Sequence, residues 1–260
     1  MILSINKQRK QIMMKKILIL AMTVILSSGA FAQREVTKFL GIPVDGTKQS
    51  MIQKLKAKGF TYDQQTDCLY GEFNGEEVSI SVQTNGNKVW RIVITDEIDR
   101  SENQIRIRFN NLVNQFENNN KYMPYKKDSQ TLSDNEDISY EISANDKQYA
   151  AIFYQYSKDA PEFSDTLTLQ KEYGERYAKE LKQIEEYLSQ FTEEQLENPT
   201  EEMVENSKKI SNWSAQSAMK MVNDLLSKKV VWFTIGEEYG EYYITMFYEN
   251  GYNEADGSDL

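Results

Sequence analysis

The sequence predicts an α+β fold: an antiparallel meander sheet covered by helices, with a C-terminal helical pair and a terminal β-hairpin. Three observations carry this. Two Asn-Gly pairs separate short runs of alternating apolar residues, capped helical stripes flank those runs, and the pattern after Ala160-Pro161 turns helical until a last aromatic hairpin.

The folded part opens with the turn-rich segment Phe39 to Gly46. A helix is predicted from Lys48 to Lys58, with Thr47 as N-cap, Met51, Ile52 and Leu55 on one stripe, and Gly59 as the left-handed residue that ends it. Strands follow at Cys68 to Phe73, Glu77 to Gln83 and Lys88 to Thr95, turning at Asn74-Gly75 and Asn85-Gly86, where both residues of each pair accept positive φ. Val78, Ile80 and Val82 alternate with polar residues, as do Trp90, Ile92 and Ile94, so one sheet face is apolar. Ser101 with Gln104 has capping-box spacing, and Ile105, Phe109, Leu112, Val113 and Phe116 repeat at helical spacing behind it. Alternation then predicts strands at Ile138 to Ser143 and Gln148 to Tyr156, joined by the polar turn Ala144 to Lys147.

Beyond Pro161, Leu169, Tyr173, Tyr177, Leu181, Ile184 and Leu188 trace one helical stripe. Asn198-Pro199-Thr200 opens a second helix through Ile210, Trp213, Met221 and Leu225. Val230 to Ile235 and Glu241 to Tyr248, flanking Gly236 to Gly240, form the last hairpin, which is too small to stand alone and must join the sheet or pack on the helical pair. The organisation expected is residues 1–32 as an address, 33–157 as the α+β domain, 158–248 as helical pair plus hairpin, and 249–260 as a polar tail.

Met14 to Ala32 has the three parts of a secretory signal peptide: Lys15 and Lys16, the apolar run Ile17 to Leu26, and Ala30-Phe31-Ala32 before the cut. That run is shorter than the roughly 20 apolar residues a bilayer core needs. Residues before Met14 read as an upstream extension, so the mature chain is expected to start at Gln33, to carry no transmembrane segment and to work in the periplasm or outside the cell. Removing Lys7, Arg9, Lys10, Lys15 and Lys16 takes the net charge from −10 to −15. Such a field repels phosphate backbones and argues against nucleic acid as partner.

Histidine is absent from all 260 residues, which removes Ser-His and Cys-His nucleophile pairs and His-ligated zinc. Cys68 is the single cysteine, so no intrachain disulfide forms, and its place at the start of a strand suits an inert thiol. Ser217 with Lys220 and the triplet Ser133-Asp134-Asn135 echo penicillin-recognising enzymes in reversed order, without their Lys-Thr-Gly. No catalytic residue, metal ligand or cofactor is therefore assigned. The last hairpin holds more aromatic side chains than one face can bury, and Trp232, Tyr239, Tyr242 and Tyr243 are the candidate ligand-binding residues.

The segments Phe39 to Thr47, Leu55 to Phe60, Arg106 to Glu117 and Tyr242 to Leu260 resemble a family of exported proteins from Gram-negative gut bacteria. The resemblance implies a periplasmic or secreted location and brings no assigned activity or site residues. Together these features predict an exported, non-enzymatic binding module that contacts a protein or a glycan. A carboxylate-dependent hydrolase acting on polysaccharide or cell-wall material is the alternative, and it requires two acids about 5 to 10 Å apart in a cleft.

Overall fold

The computed structural model describes residues 35–126, 128–156 and 222–255, with isolated positions between 186 and 206. The chain divides into two compact units, Met1–Gln33 with Glu162–Leu225, and Arg34–Pro161 with Leu226–Leu260. In the first unit Thr200 Oγ1 accepts from the Met203 amide at 3.2 Å, the helix start expected there. Thr192 and Gln195 make a second, reciprocal cap, at 2.9 and 3.3 Å. The signal segment Met14 to Ala32 and the stripe Leu169 to Leu188 lie outside the described residues.

The second unit is α+β. Strands β1 (Lys38–Phe39) and β2 (Ile42–Pro43) form a small hairpin sheet. The main sheet is antiparallel and contains β3 (Thr61–Asp63), β4 (Cys68–Phe73), β5 (Glu76–Asn85), β6 (Lys88–Asp96), β7 (Met123–Pro124), β8 (Ala150–Tyr154), β9 (Lys229–Glu238) and β10 (Glu241–Asn250), in the order β3-β4-β5-β6-β10-β9-β8-β7. Helices α1 (Lys48–Lys56), α2 (Glu102–Asn118) and α3 (Ile138–Asn145) all send side chains into one core. One register row shows the face they cover: Leu69, Ile80, Ile94, Met246, Phe233 and Ala151 lie side by side across six strands, and all are buried.

The terminal hairpin joins this sheet at its centre. Strand β10 pairs with β6 on one side and β9 with β8 on the other, so both edges of the hairpin are hydrogen-bonded. The outer strands of the sheet are short. At the β8 edge the Gln130 side chain takes the place of a neighbouring strand, donating to the Ile152 carbonyl at 3.1 Å and accepting from its amide at 3.0 Å.

Several local expectations need correction. The strand predicted over Ile138 to Ser143 is helix α3. Asp137 caps it by accepting from the Tyr140 amide at 2.9 Å, and the Glu102 carboxylate accepts from the Ile138 amide at 3.0 Å, so a distant residue satisfies donors at its first turn. The expected turn Ala144 to Lys147 is instead the end of that helix, at left-handed Asp146, and the strand after it is shorter than predicted, Ala150–Tyr154. The second tight turn sits one residue later than expected: Gly86 and Asn87 have positive φ, while Asn85 pairs with Lys88 inside the ladder. The last hairpin turns on two residues, Tyr239 and Gly240, rather than on the loop Gly236 to Gly240. Helix α1 ends at Lys56, two residues early, with Gly59 left-handed as expected.

Candidate binding face

Because side chains alternate along each strand, the face opposite the core carries the other half of the sheet's residues. Its central row is Cys68, Ser81, Val93, Phe247, Trp232 and Ile152; a parallel row holds Tyr70, Ser79, Thr95, Thr245, Thr234 and Ala150. Apart from the exposed Ala150 on β8, these residues are half-buried. One row is aromatic and aliphatic, the other mainly hydroxyl-bearing.

A bulge adds to the aromatic row. Arg91 pairs with Gln83 and Val89 with Thr84, which leaves Trp90 as the extra residue of β6. Val89, not Trp90, takes the buried place in the core, so the sequence-based assignment of Trp90 to the apolar stripe with Ile92 and Ile94 is corrected. The Trp90 ring instead meets the Arg91 guanidinium, whose centre lies 4.0 Å from the ring centroid and 5.2 Å from that of Phe247. Trp232 stacks on Phe247 with centroids 3.9 Å apart and planes at 12°. Glu249 ties the group together, accepting from Trp232 Nε1 at 2.8 Å and pairing with Arg91 at 2.5 Å. Trp90, Arg91, Phe247 and Trp232 therefore make one continuous π and cation–π stack standing on the sheet.

The four aromatic residues singled out from sequence do not form one cluster. Trp232 and Tyr243 lie on this face. Tyr243 covers Gly236 on the neighbouring strand so closely that a Cβ there would fall 2.5 Å from its ring, which is why Gly occupies that position. Tyr242 faces the other way, is 4% exposed, and its hydroxyl is 2.8 Å from Ser139 Oγ on α3. Tyr239 forms the hairpin tip with φ +53° and is 96% exposed. Trp90, Arg91 and Glu249 escaped sequence reasoning; the one signal for them was the interrupted alternation of Val89-Trp90-Arg91-Ile92.

The carboxylates on the helix side are held by neighbouring donors. Asp96, 2% exposed at its side chain, accepts from Arg100 at 3.0 Å and from Arg108 at 3.2 and 3.3 Å, and Arg100 also pairs with Glu76 at 2.5 Å. Glu102 accepts from Ser139 Oγ at 2.6 Å, the Ile138 amide and Arg106, and the Ser139 bond, before all other causes, holds its carboxyl below the usual range. Glu136 is lowered first by its bond from Lys147 and then by the Tyr149 hydroxyl at 2.7 Å. Glu102 and Glu136 are thus held ionised, the opposite of what a general acid needs. Burial, then the charges of Asp67 and Glu97, push the Cys68 thiol up and keep it protonated. Among the described residues no group of three or more acidic or Cys side chains is set to hold a metal ion, and no helix is long and apolar enough to cross a membrane.

Fold and site together define an α+β protein with helices on one face of an eight-stranded antiparallel sheet and an aromatic row on the other. Compared with known proteins, the chain matches no family model, no curated protein and no solved structure.

Proposed function

We propose that this chain is an exported, non-enzymatic binding module that contacts a protein partner through the outer face of its sheet. The observation that supports it most is the stack of Trp90, Arg91, Phe247 and Trp232 on the sheet face opposite the core. Aromatic residues and arginine are the side chains that most often anchor protein interfaces. A sugar stacks on an open ring face, whereas the Phe247 ring is already stacked on Trp232 and has the Arg91 guanidinium 5.2 Å from its centroid, an arrangement that favours a protein over a glycan. The saturated, ionised carboxylates Glu102 and Glu136 weigh against the hydrolase. Export rests on the signal-peptide pattern of Met14 to Ala32.

A photo-crosslinking residue at Thr245, on the outer face, should give a discrete adduct in cells that make the protein, and the adduct should disappear in Trp232→Ser. The same residue at Asn114, exposed on α2, should give none. Equal adducts from both positions would remove the outer face as the binding surface. Fractionation should recover the protein outside the cytoplasm with an N-terminus at Gln33 by sequencing; recovery in the cytoplasm alone, with the Met14 start intact, would refute export.

A further inference from the structure

The outer face has an electrostatic direction, and it specifies the partner. At the end of the sheet that holds the hairpin tip, register places Glu72 opposite Glu77 and Glu238 opposite Glu241, on the same face as the aromatic row. Glu97 follows Thr95 of that face, its amide donates to the Glu77 carbonyl at 2.9 Å, and its charge reaches Cys68 on the same side. All five side chains are exposed, and none takes part in an ion pair or hydrogen bond among the described residues. Like charges directly opposite each other on a sheet destabilise it, so the fold itself gains nothing from this arrangement. The cation of the aromatic row, Arg91, is already paired with Glu249 and does not offset the rim. The same end exposes Tyr239, next to the acids of the hairpin, and Ile98, 52% exposed beside Glu97.

We propose that the outer face docks a cationic segment of a protein, whose apolar side chains lie along Val93, Phe247, Trp232 and Ile152 while its Lys or Arg residues meet the rim of Glu72, Glu77, Glu97, Glu238 and Glu241. This rests on the reading of that face as the binding surface. Charge complementarity selects the occupant: a second copy of this acidic chain would bring like charge to the rim, and so would an anionic lipid surface or a nucleic acid.

The test uses the full chain with a labelled peptide alternating Trp and Arg, and its Trp/Gln counterpart, followed by fluorescence anisotropy. The Trp/Arg peptide should bind at least about tenfold more tightly, with affinity falling as salt rises. The triple variant Glu77→Gln, Glu97→Gln, Glu241→Gln should weaken it at least about fivefold and flatten the salt dependence. Its melting temperature should not fall, because repulsive pairs are relieved. Asp128→Asn, Asp134→Asn, Glu141→Gln, equal in charge change but elsewhere, should stay within about twofold, since screening confines the effect to nearby charges. Equal losses in both triples, equal binding of the two peptides, or binding of neither would overturn the proposal. If Phe247→Leu abolishes binding while the rim triple does not, the face survives as a docking surface and the cationic partner does not; the reverse pattern removes the face itself.

Discussion

The two faces of the sheet are built from the same strands and solve different problems. The core face buries Phe233, Ile94 and Met246 under three helices, and its charges near one end, Asp96, Arg100 and Arg108, are fully paired. The outer face leaves large side chains half-buried, stacks Trp232 on Phe247, and leaves the acids of its rim unpaired. A face selected only for stability would look like the first. The second keeps aromatic surface within reach of solvent and like charges opposed, features that favour contact with something outside the fold.

The sharpest way to break this comparison is to truncate one phenylalanine on each face. Phe233, fully buried against Phe109 at 5.1 Å and Phe153 at 6.1 Å, should cost about 3 to 5 kcal/mol as Phe233→Ala. Phe247→Ala on the outer face should cost about 1 kcal/mol, mostly the loss of stacking on Trp232 and Arg91. Urea unfolding of the two variants checks this, and similar losses would mean that both faces are core.

Acid separates the faces more gently. Glu102 has a folded pKa below its ordinary value, so the unfolded chain binds its proton first as pH falls. The stability it contributes is complete above about pH 5, and is lost as pH falls through the ordinary glutamate value near 4.3 towards the lowered folded one. Glu102→Gln should therefore flatten the decline of unfolding free energy between about pH 5 and 3. An unchanged slope in Glu102→Gln would remove the Ser139 contact as an anchor of α3.

The smallest effect is expected at the hairpin tip. A left-handed tyrosine costs roughly 1 kcal/mol relative to residues that tolerate that conformation, so Tyr239→Asn should raise the melting temperature by about 2 to 4 °C. A drop instead would show that the Tyr239 ring, exposed as it is, stabilises the turn.

Much of the local structure was legible in the residues. Thr47 and Ser101 mark both long helices of the sheet unit, and the capping box at Ser101 is present as Gln104 Oε1 accepting from the Ser101 amide at 3.0 Å. Strand β4 has the bounds that its alternation and the Asn74-Gly75 turn predict. Helix α3 was illegible because Ile138, Tyr140 and Ile142 alternate like a strand, and the groups that satisfy its first turn include Glu102, thirty-six positions away in sequence. The candidate binding face was half legible: aromatic excess in the last hairpin pointed to Trp232 and Tyr243. Alternation alone could not say that Tyr242 turns inward to meet Ser139, nor that a bulge would bring Trp90 and Arg91 to the same stack.

By itself, then, the sequence determined the fold class, the two long helices of the sheet unit and three successive strands, because caps, turns and period-two alternation act within a few residues of each other. Only the tertiary structure decided that the last hairpin enters the middle of the sheet. The pairing of Thr95 with Thr245 joins residues 150 positions apart, and such contacts depend on matching buried faces and open strand edges rather than on any local preference.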